Sequence, residues 1–334
     1  MKFLICGLGS IGKRHLENLL KLGIDSRDLG VMRRQESNAL GDKFLEKYPS
    51  IVVFHNLAEA LDKKPKAIFI TNPTALHIKV ALKAAKSGCH LFLEKPISHS
   101  LAGVAELIKI VKEKKLTTFV AYNFRFHPLL RQVKKWLDQG KIGRVISVQA
   151  ELAEWLIDWH PWEDYKISYA SRADLGGGVV LTQCHELDYL YWMFGQPEWI
   201  FATGGKIGDL RIDVEAVADS LIKFPGNITA SLHLDYYKKP AKRFLEISGT
   251  KGRIFWNFFS GQAELVDFDG KTTTVKEPAN FERNQMYLDE LKHFLACLKT
   301  NKKSLIDICQ GKEVLEMALA TKKSMREKKI IYLK

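Results

Sequence analysis

Phe3-Leu4-Ile5-Cys6-Gly7-Leu8-Gly9-Ser10-Ile11-Gly12-Lys13-Arg14-His15-Leu16 opens the chain almost at its first residue. Lys2–Cys6 is a short apolar run without alternation, the pattern of a strand buried on both faces. Ile11–Leu22 then carries apolar residues at helical spacing. Gly7, Gly9 and Gly12 form a G-x-G-x-x-G between the two. Glycines there permit a tight turn, close approach of backbone to a pyrophosphate, and packing of helix on strand. The following helix N-terminus, with the amides of Ser10 and Ile11, presents partial positive charge to phosphate. Alone the motif is weak; set between a strand and a helix it predicts a dinucleotide-binding turn.

The same alternation continues. Asp28–Met32, Ile51–Phe54, Ala67–Thr71, Cys89–Leu93 and Thr117–Tyr122 read as strands, and Ala75–Ser87 and Leu101–Lys114 as helices. Short apolar strands alternating with amphipathic helices predict a doubly wound parallel sheet, a Rossmann domain over 1–122. Beyond it, Val145–Glu151, Ala216–Phe224, Ile228–Asp235, Arg243–Ser248, Arg253–Phe258 and Ala263–Phe268 read as strands separated by tight turns such as Pro225-Gly226-Asn227 and Asp269-Gly270. Helices are expected at Val179–Phe194, Arg283–Lys299 and Leu305–Lys323. The whole is an α/β protein in which 123–334 form a second, α+β domain with a mostly antiparallel open sheet.

Composition narrows the function classes. The 334 residues are 46% hydrophobic and 27% charged, ordinary for about two globular domains. No apolar run reaches the ~18 residues of a membrane helix, and the apolar N-terminus runs into the glycine turn without a cleavage-type site, so a cytoplasmic location is expected. Five cysteines, with no C-x-x-C, predict neither a disulfide framework nor a metal site. The formal net charge of +13 favours anionic small molecules. The lysines are dispersed along helical faces and no nucleic-acid motif is present, so no nucleic-acid partner is expected.

The second strand ends in Arg33-Arg34, where a site for NAD usually carries an acidic residue on the ribose. Two guanidinium groups suit a 2′-phosphate, so NADP is expected in preference to NAD.

Three further motifs follow: Thr71-Asn72-Pro73-Thr74 with His77; Glu94-Lys95-Pro96; and Gly176-Gly177-Gly178 followed by His185-Glu186-Leu187-Asp188. Their order and spacing resemble the glucose–fructose oxidoreductase, inositol dehydrogenase and rhizopine-catabolism (Gfo/Idh/MocA) family along essentially the whole chain. The resemblance implies an NAD(P)-dependent dehydrogenase acting on a hydroxyl or ketone of a sugar or sugar derivative, with polysaccharide or nucleotide-sugar metabolism as a setting. It implies that Thr71, Asn72, Pro73, His77, Glu94, Lys95, Pro96 and Asn123 lie along the cofactor, and that the Lys95–Pro96 bond is cis. It further implies a substrate-binding and oligomerising second domain, in a homodimer or homotetramer.

Chemically, such a reaction needs a proton acceptor and a group that stabilises charge on the reacting oxygen. Lys95 stands at a strand C-terminus, the ligand edge of an open sheet, and His185 is the matching acid/base. The two are expected to converge on one oxygen. Asp188, three residues after His185, orients it or caps a neighbour. One departure is plain: inositol dehydrogenase-like members carry an aspartate where this chain has Leu181. Arg125, beside Asn123, and Arg172 are expected to meet substrate, as are Trp155, Trp162 and Tyr169 in an aromatic-rich segment suited to sugar faces. A biliverdin reductase-like or other small-ketone reductase, and a non-catalytic dinucleotide-sensing regulator, remain as alternatives, because fold alone does not decide function.

Overall fold

Phe3–Cys6 (β1) and Ala67–Ile70 (β4) are buried at every position, as unbroken apolar runs in the middle of a parallel sheet should be. With Leu29–Met32 (β2), Val52–Phe54 (β3), His90–Leu93 (β5) and Thr118–Val120 (β6) they form a six-stranded sheet of order β3-β2-β1-β4-β5-β6. Every neighbouring pair is parallel. The order reverses between β1 and β4, and ligands of such sheets lie at the strand C-termini beside that switch point. Gly7 follows β1 there and Thr71 follows β4. The computed structural model describes residues 1–33 and 43–333, and among these no helix is long and apolar enough to cross a membrane.

The chain divides into two units, residues 1–122 with 283–312, and residues 123–282 with 313–334. The linear division expected from sequence, 123–334 as one piece, differs by the segment 283–312. The reason is aromatic packing. The helix Asn284–Thr300 lays Phe294 against Phe69 and Phe92, with ring centroids 5.8 and 5.5 Å apart. Asn284 and Asn18 also exchange side-chain hydrogen bonds of 2.8 and 3.1 Å.

The second unit is built on nine strands: Val145–Ala153 (β7), Trp199–Gly205 (β8), Val217–Phe224 (β9), Ile228–Asp235 (β10), Lys242–Gly249 (β11), Gly252–Asn257 (β12), Gln262–Asp267 (β13), Thr272–Lys276 (β14) and Ile331–Tyr332 (β15). The order is β14-β13-β12-β11-β7-β10-β9-β8-β15, and only β10–β7 pairs in parallel. In β9, Ala218, Ser220, Ile222 and Phe224 are buried while Asp219 and Leu221 are exposed, the period of a sheet with one covered face. The expected helix Val179–Phe194 is interrupted. Val179–Thr182 ends where the Thr182 hydroxyl bonds back to the Gly178 carbonyl at 2.8 Å, and a new helix runs from His185 to Phe194. Pro128–Asp138 is a further helix, started by a proline in its first turn.

Candidate active site

The three glycines of the first turn have three different surroundings. Gly7 has φ +106°, and a Cβ there would stand 2.7 Å from the Asn72 amide nitrogen. A Cβ on Gly12 would stand 2.1 Å from the Gly7 carbonyl oxygen. Among the described residues nothing lies within 4 Å of that position at Gly9. The first and third glycines are therefore filled in by protein, and the second opens onto space. The helix Ser10–Lys21 begins at Gly9 with no side-chain cap and no acidic residue in its first turn. Its first amides are thus not claimed by a side-chain cap, which fits the pyrophosphate of a dinucleotide.

The second and third motifs are tied to this loop and to each other. The Thr71 hydroxyl donates to the Gly7 carbonyl at 2.7 Å and to the Cys6 carbonyl at 3.2 Å. His77 is buried, with Nδ1 2.8 Å from the Pro96 carbonyl and Nε2 2.7 Å from the Asn72 carbonyl. Burial lowers the pKa of this imidazole, and the two carbonyls act against that. His77 thus clips the turn after β4 to the turn after β5. Asn72 and Pro73 are half-buried at the same edge. The Lys95–Pro96 bond is cis and Lys95 is half-buried. Glu94 accepts from the Lys95 backbone N–H at 3.2 Å and meets His15 Nε2 at 2.7 Å.

Arg33 directly follows β2, is only 6% exposed, and donates its backbone N–H to Phe54. Arg34 lies outside the described residues.

In the second unit, Asn123 and Arg125 sit on a buried 3-10 turn, Asn123–Phe126. The Arg125 guanidinium grips Asp188 through Nε at 3.0 and 3.1 Å and through Nη2 at 2.7 Å, with 1% and 0% of the two side chains exposed. Burial raises the Asp188 pKa, and Arg125 opposes the rise. These two site residues are committed to each other. His185 opens the helix His185–Phe194, half-buried, with its ring 5.0 Å from that of Phe124. Leu181, where the resemblance leads one to expect an aspartate, is core at 2% exposure.

Near His185 the structure pairs two groups not assigned to the site from sequence, Glu186 of the same motif and Arg243. Glu186 is fully buried and pairs with Arg243 Nη2 at 2.6 Å. Burial, opposed by Arg243, pushes the Glu186 pKa up to about 7. The Arg243 guanidinium lies 3.6 Å from the centre of the Phe124 ring, a cation–π contact. In the first unit His15 and Glu290 were likewise passed over. The aromatic segment is only partly packed. Trp155 tilts against Tyr237 at 5.9 Å, Trp159 meets Tyr236 edge-on at 5.4 Å, and Trp162 is 75% exposed. Tyr169 is half-buried, and Arg172 pairs with Asp174 at the surface.

Comparison with known proteins agrees with this geometry. Residues 1–122 match the oxidoreductase family with an NAD-binding Rossmann fold, and residues 130–255 match the GFO/IDH/MocA C-terminal domain. Myo-inositol 2-dehydrogenase of Thermotoga maritima is 27% identical over 100% of this chain and 98% of its own. The uncharacterized oxidoreductase YrbE of Bacillus subtilis is 30% identical over 96% of this chain and 93% of its own. A levoglucosan dehydrogenase solved with NADH and levoglucosan superposes with a TM-score of 0.86 over 99% of both chains at 18% identity, a likeness of fold. With its glycine turn, its two strand-end motifs and both domains matched, the chain belongs to the Gfo/Idh/MocA family of oxidoreductases.

Proposed function

We propose that this protein is an NAD(P)-dependent dehydrogenase that interconverts a hydroxyl and a ketone on a sugar or cyclic polyol. The observation that carries the reading is the open backbone at Gly9 over an uncapped helix N-terminus, at the sheet edge that also holds Asn72 and Lys95. Gly9, Ser10 and Ile11 would hold the pyrophosphate, and Asn72, Pro73 and Lys95 the nicotinamide end. Arg33 and Arg34 favour NADP over NAD through a 2′-phosphate. When bound, the nicotinamide supplies the hydride chemistry. Lys95 hydrogen-bonds the reacting oxygen and stabilises its developing charge; His185 takes up or returns the hydroxyl proton. Trp155, Trp162, Tyr169 and Arg172 are the substrate-side groups, and Asn123 is a cofactor-side group. The Arg125–Asp188 pair, being buried, holds the helix of His185 rather than the substrate.

Phe201 and Leu221, 38% and 42% exposed on the outer face of β8 and β9, support a homodimer or homotetramer. Inositol in the name of one relative and levoglucosan in another support a ring-shaped polyhydroxy substrate. The test is a screen of cyclic polyols, anhydrosugars and nucleotide-linked sugars with NAD+ and NADP+, read by nicotinamide absorbance. Turnover on members of these classes is expected. Tight dinucleotide binding with no turnover on any of them would favour a regulator instead.

A further inference from the structure

Three titratable side chains meet inside the first unit. His15 comes from the helix Ser10–Lys21, Glu94 from the turn after β5, and Glu290 from the helix Asn284–Thr300. One ligand atom of each lies within 4.8 Å of the others. Exposure is 0% for His15, 8% for Glu94 and 0% for Glu290. His15 Nε2 meets Glu94 Oε1 at 2.7 Å, and the Lys95 backbone N–H reaches Glu94 Oε2 at 3.2 Å. Neither oxygen of Glu290 has a hydrogen-bond partner among the described residues.

Two carboxyl groups this close in a dry interior cannot both carry charge. An ionised carboxylate without a donor costs several kcal/mol, so either a proton or a cation must be present. A tetrahedral metal ion bound at ~2.0–2.2 Å keeps its ligand atoms roughly 3.3–3.6 Å apart. The direct 2.7 Å contact of His15 with Glu94 would have to open to admit one. A proton needs no such opening.

We infer that Glu290 holds a proton at neutral pH and donates it to Glu94, so that His15 and Glu290 grip the Glu94 carboxylate from two helices. Glu94 in turn holds the Lys95 N–H, which fixes the backbone from which the Lys95 side chain projects. Glu290 is then a positioning residue. This rests on the reading of Lys95 as a catalytic group. Burial first, and then the charge of Glu94, raise the Glu290 pKa well above the usual carboxyl range. The titratable groups beside the pair are His15, in contact with Glu94, and His77, which responds to the charges of Glu94 and Lys95. Tyr287 stands on the helix of Glu290, with Arg14 over its ring and His15 at its edge.

The test compares wild type with Glu290→Gln, which keeps a donor that cannot titrate, and Glu290→Leu, which has none. The infrared difference spectrum at neutral pH should show a protonated carboxyl band in wild type that Glu290→Gln removes. Glu290→Leu should lower kcat on the order of 10–100-fold, the scale of a misplaced reacting group, and Glu290→Gln should recover most of that loss. Wild type should lose kcat on an alkaline limb that Glu290→Gln lacks. No protonated band, or a stoichiometric divalent metal in the purified protein, would overturn the shared proton. A band without any difference between the alkaline limbs would overturn the positioning role. If Glu290→Leu does not fold, band and limb still decide through Glu290→Gln. If band and limb behave as stated while Lys95→Met keeps full activity, the proton stands and the catalytic reading of Lys95 fails.

Discussion

In the second unit the buried carboxylates beside His185 are each matched by a guanidinium. Arg125 grips Asp188 with both kinds of its nitrogen, and Arg243 meets Glu186 while lying on the Phe124 ring. In the first unit Glu94 meets the His15 imidazole and the Lys95 backbone amide, Glu290 lies within 4.8 Å of both side chains, and among the described residues no arginine pairs with either carboxyl. The difference follows from what each site must hold. The first, as proposed, holds a dinucleotide pyrophosphate through backbone amides. The second uses ion pairs to lock the helix that begins at His185, the proposed acid/base.

The comparison extends to chemistry, because one catalytic group is proposed for each unit. Lys95→Met and His185→Ala should each lower kcat by about 10²–10⁴-fold with little change in cofactor affinity. The double variant should be little worse than the poorer single one, as for groups acting as one unit. Near-normal turnover in both single variants would break the assignment. The next effect separates the two ways of hiding charge. Arg125→Ala strands Asp188 and should cost about 3–5 kcal/mol in chemical denaturation. Replacing Arg125 and Asp188 together by Met and Leu should cost far less. Equal losses would mean that Arg125 acts by packing alone. A smaller effect concerns the cofactor. Arg33→Ala should weaken NADP(H) selectively, by about 1–3 kcal/mol in dissociation constants, the scale of a charged hydrogen bond. Equal affinity of wild type for both cofactors would refute the preference.

The smallest effect lies on the outer sheet face, where His233 stands 2.6 Å from Asp219 and 2.7 Å from Asp235. The hydrogen bond to Asp235, then that to Asp219, raises the His233 pKa from 6.5 to about 8. A raised pKa in the folded state means stabilisation that is complete below pH 6.5 and fades as pH climbs through about 8. For a partly exposed group this is worth about 1 kcal/mol after screening. Thermal melts of wild type and His233→Gln should therefore converge as pH rises. A constant gap would show that the ring acts by packing.

How far the sequence carried this reading depends on how local each signal is. The Rossmann sheet was legible because its strands are unbroken apolar runs and its glycine turn lies within six residues. The strand-end motifs were equally compact. Arg243 and Glu186 were not legible, since a strand residue and a helix residue far apart in sequence show no mutual pattern. Glu290 left a faint mark. The buried face of its helix runs through Met286, Leu291, Phe294 and Leu298, and Glu290 falls inside that stripe, four residues from Met286 and from Phe294. A lone acid among core positions is a usable warning. The linear domain reading failed to anticipate 283–312 because periodicity says what a helix buries but not which sheet it covers.

That returning segment bears on how the protein is made. Synthesis delivers β1 to β6 early, but the helix that covers Phe69 and Phe92 leaves the ribosome only after the intervening second-unit residues. At about 5–20 residues per second, the wait is on the order of ten seconds or more. For that time the nascent sheet presents an uncovered aromatic face, a surface that chaperones bind and that neighbouring nascent chains on the same message can join.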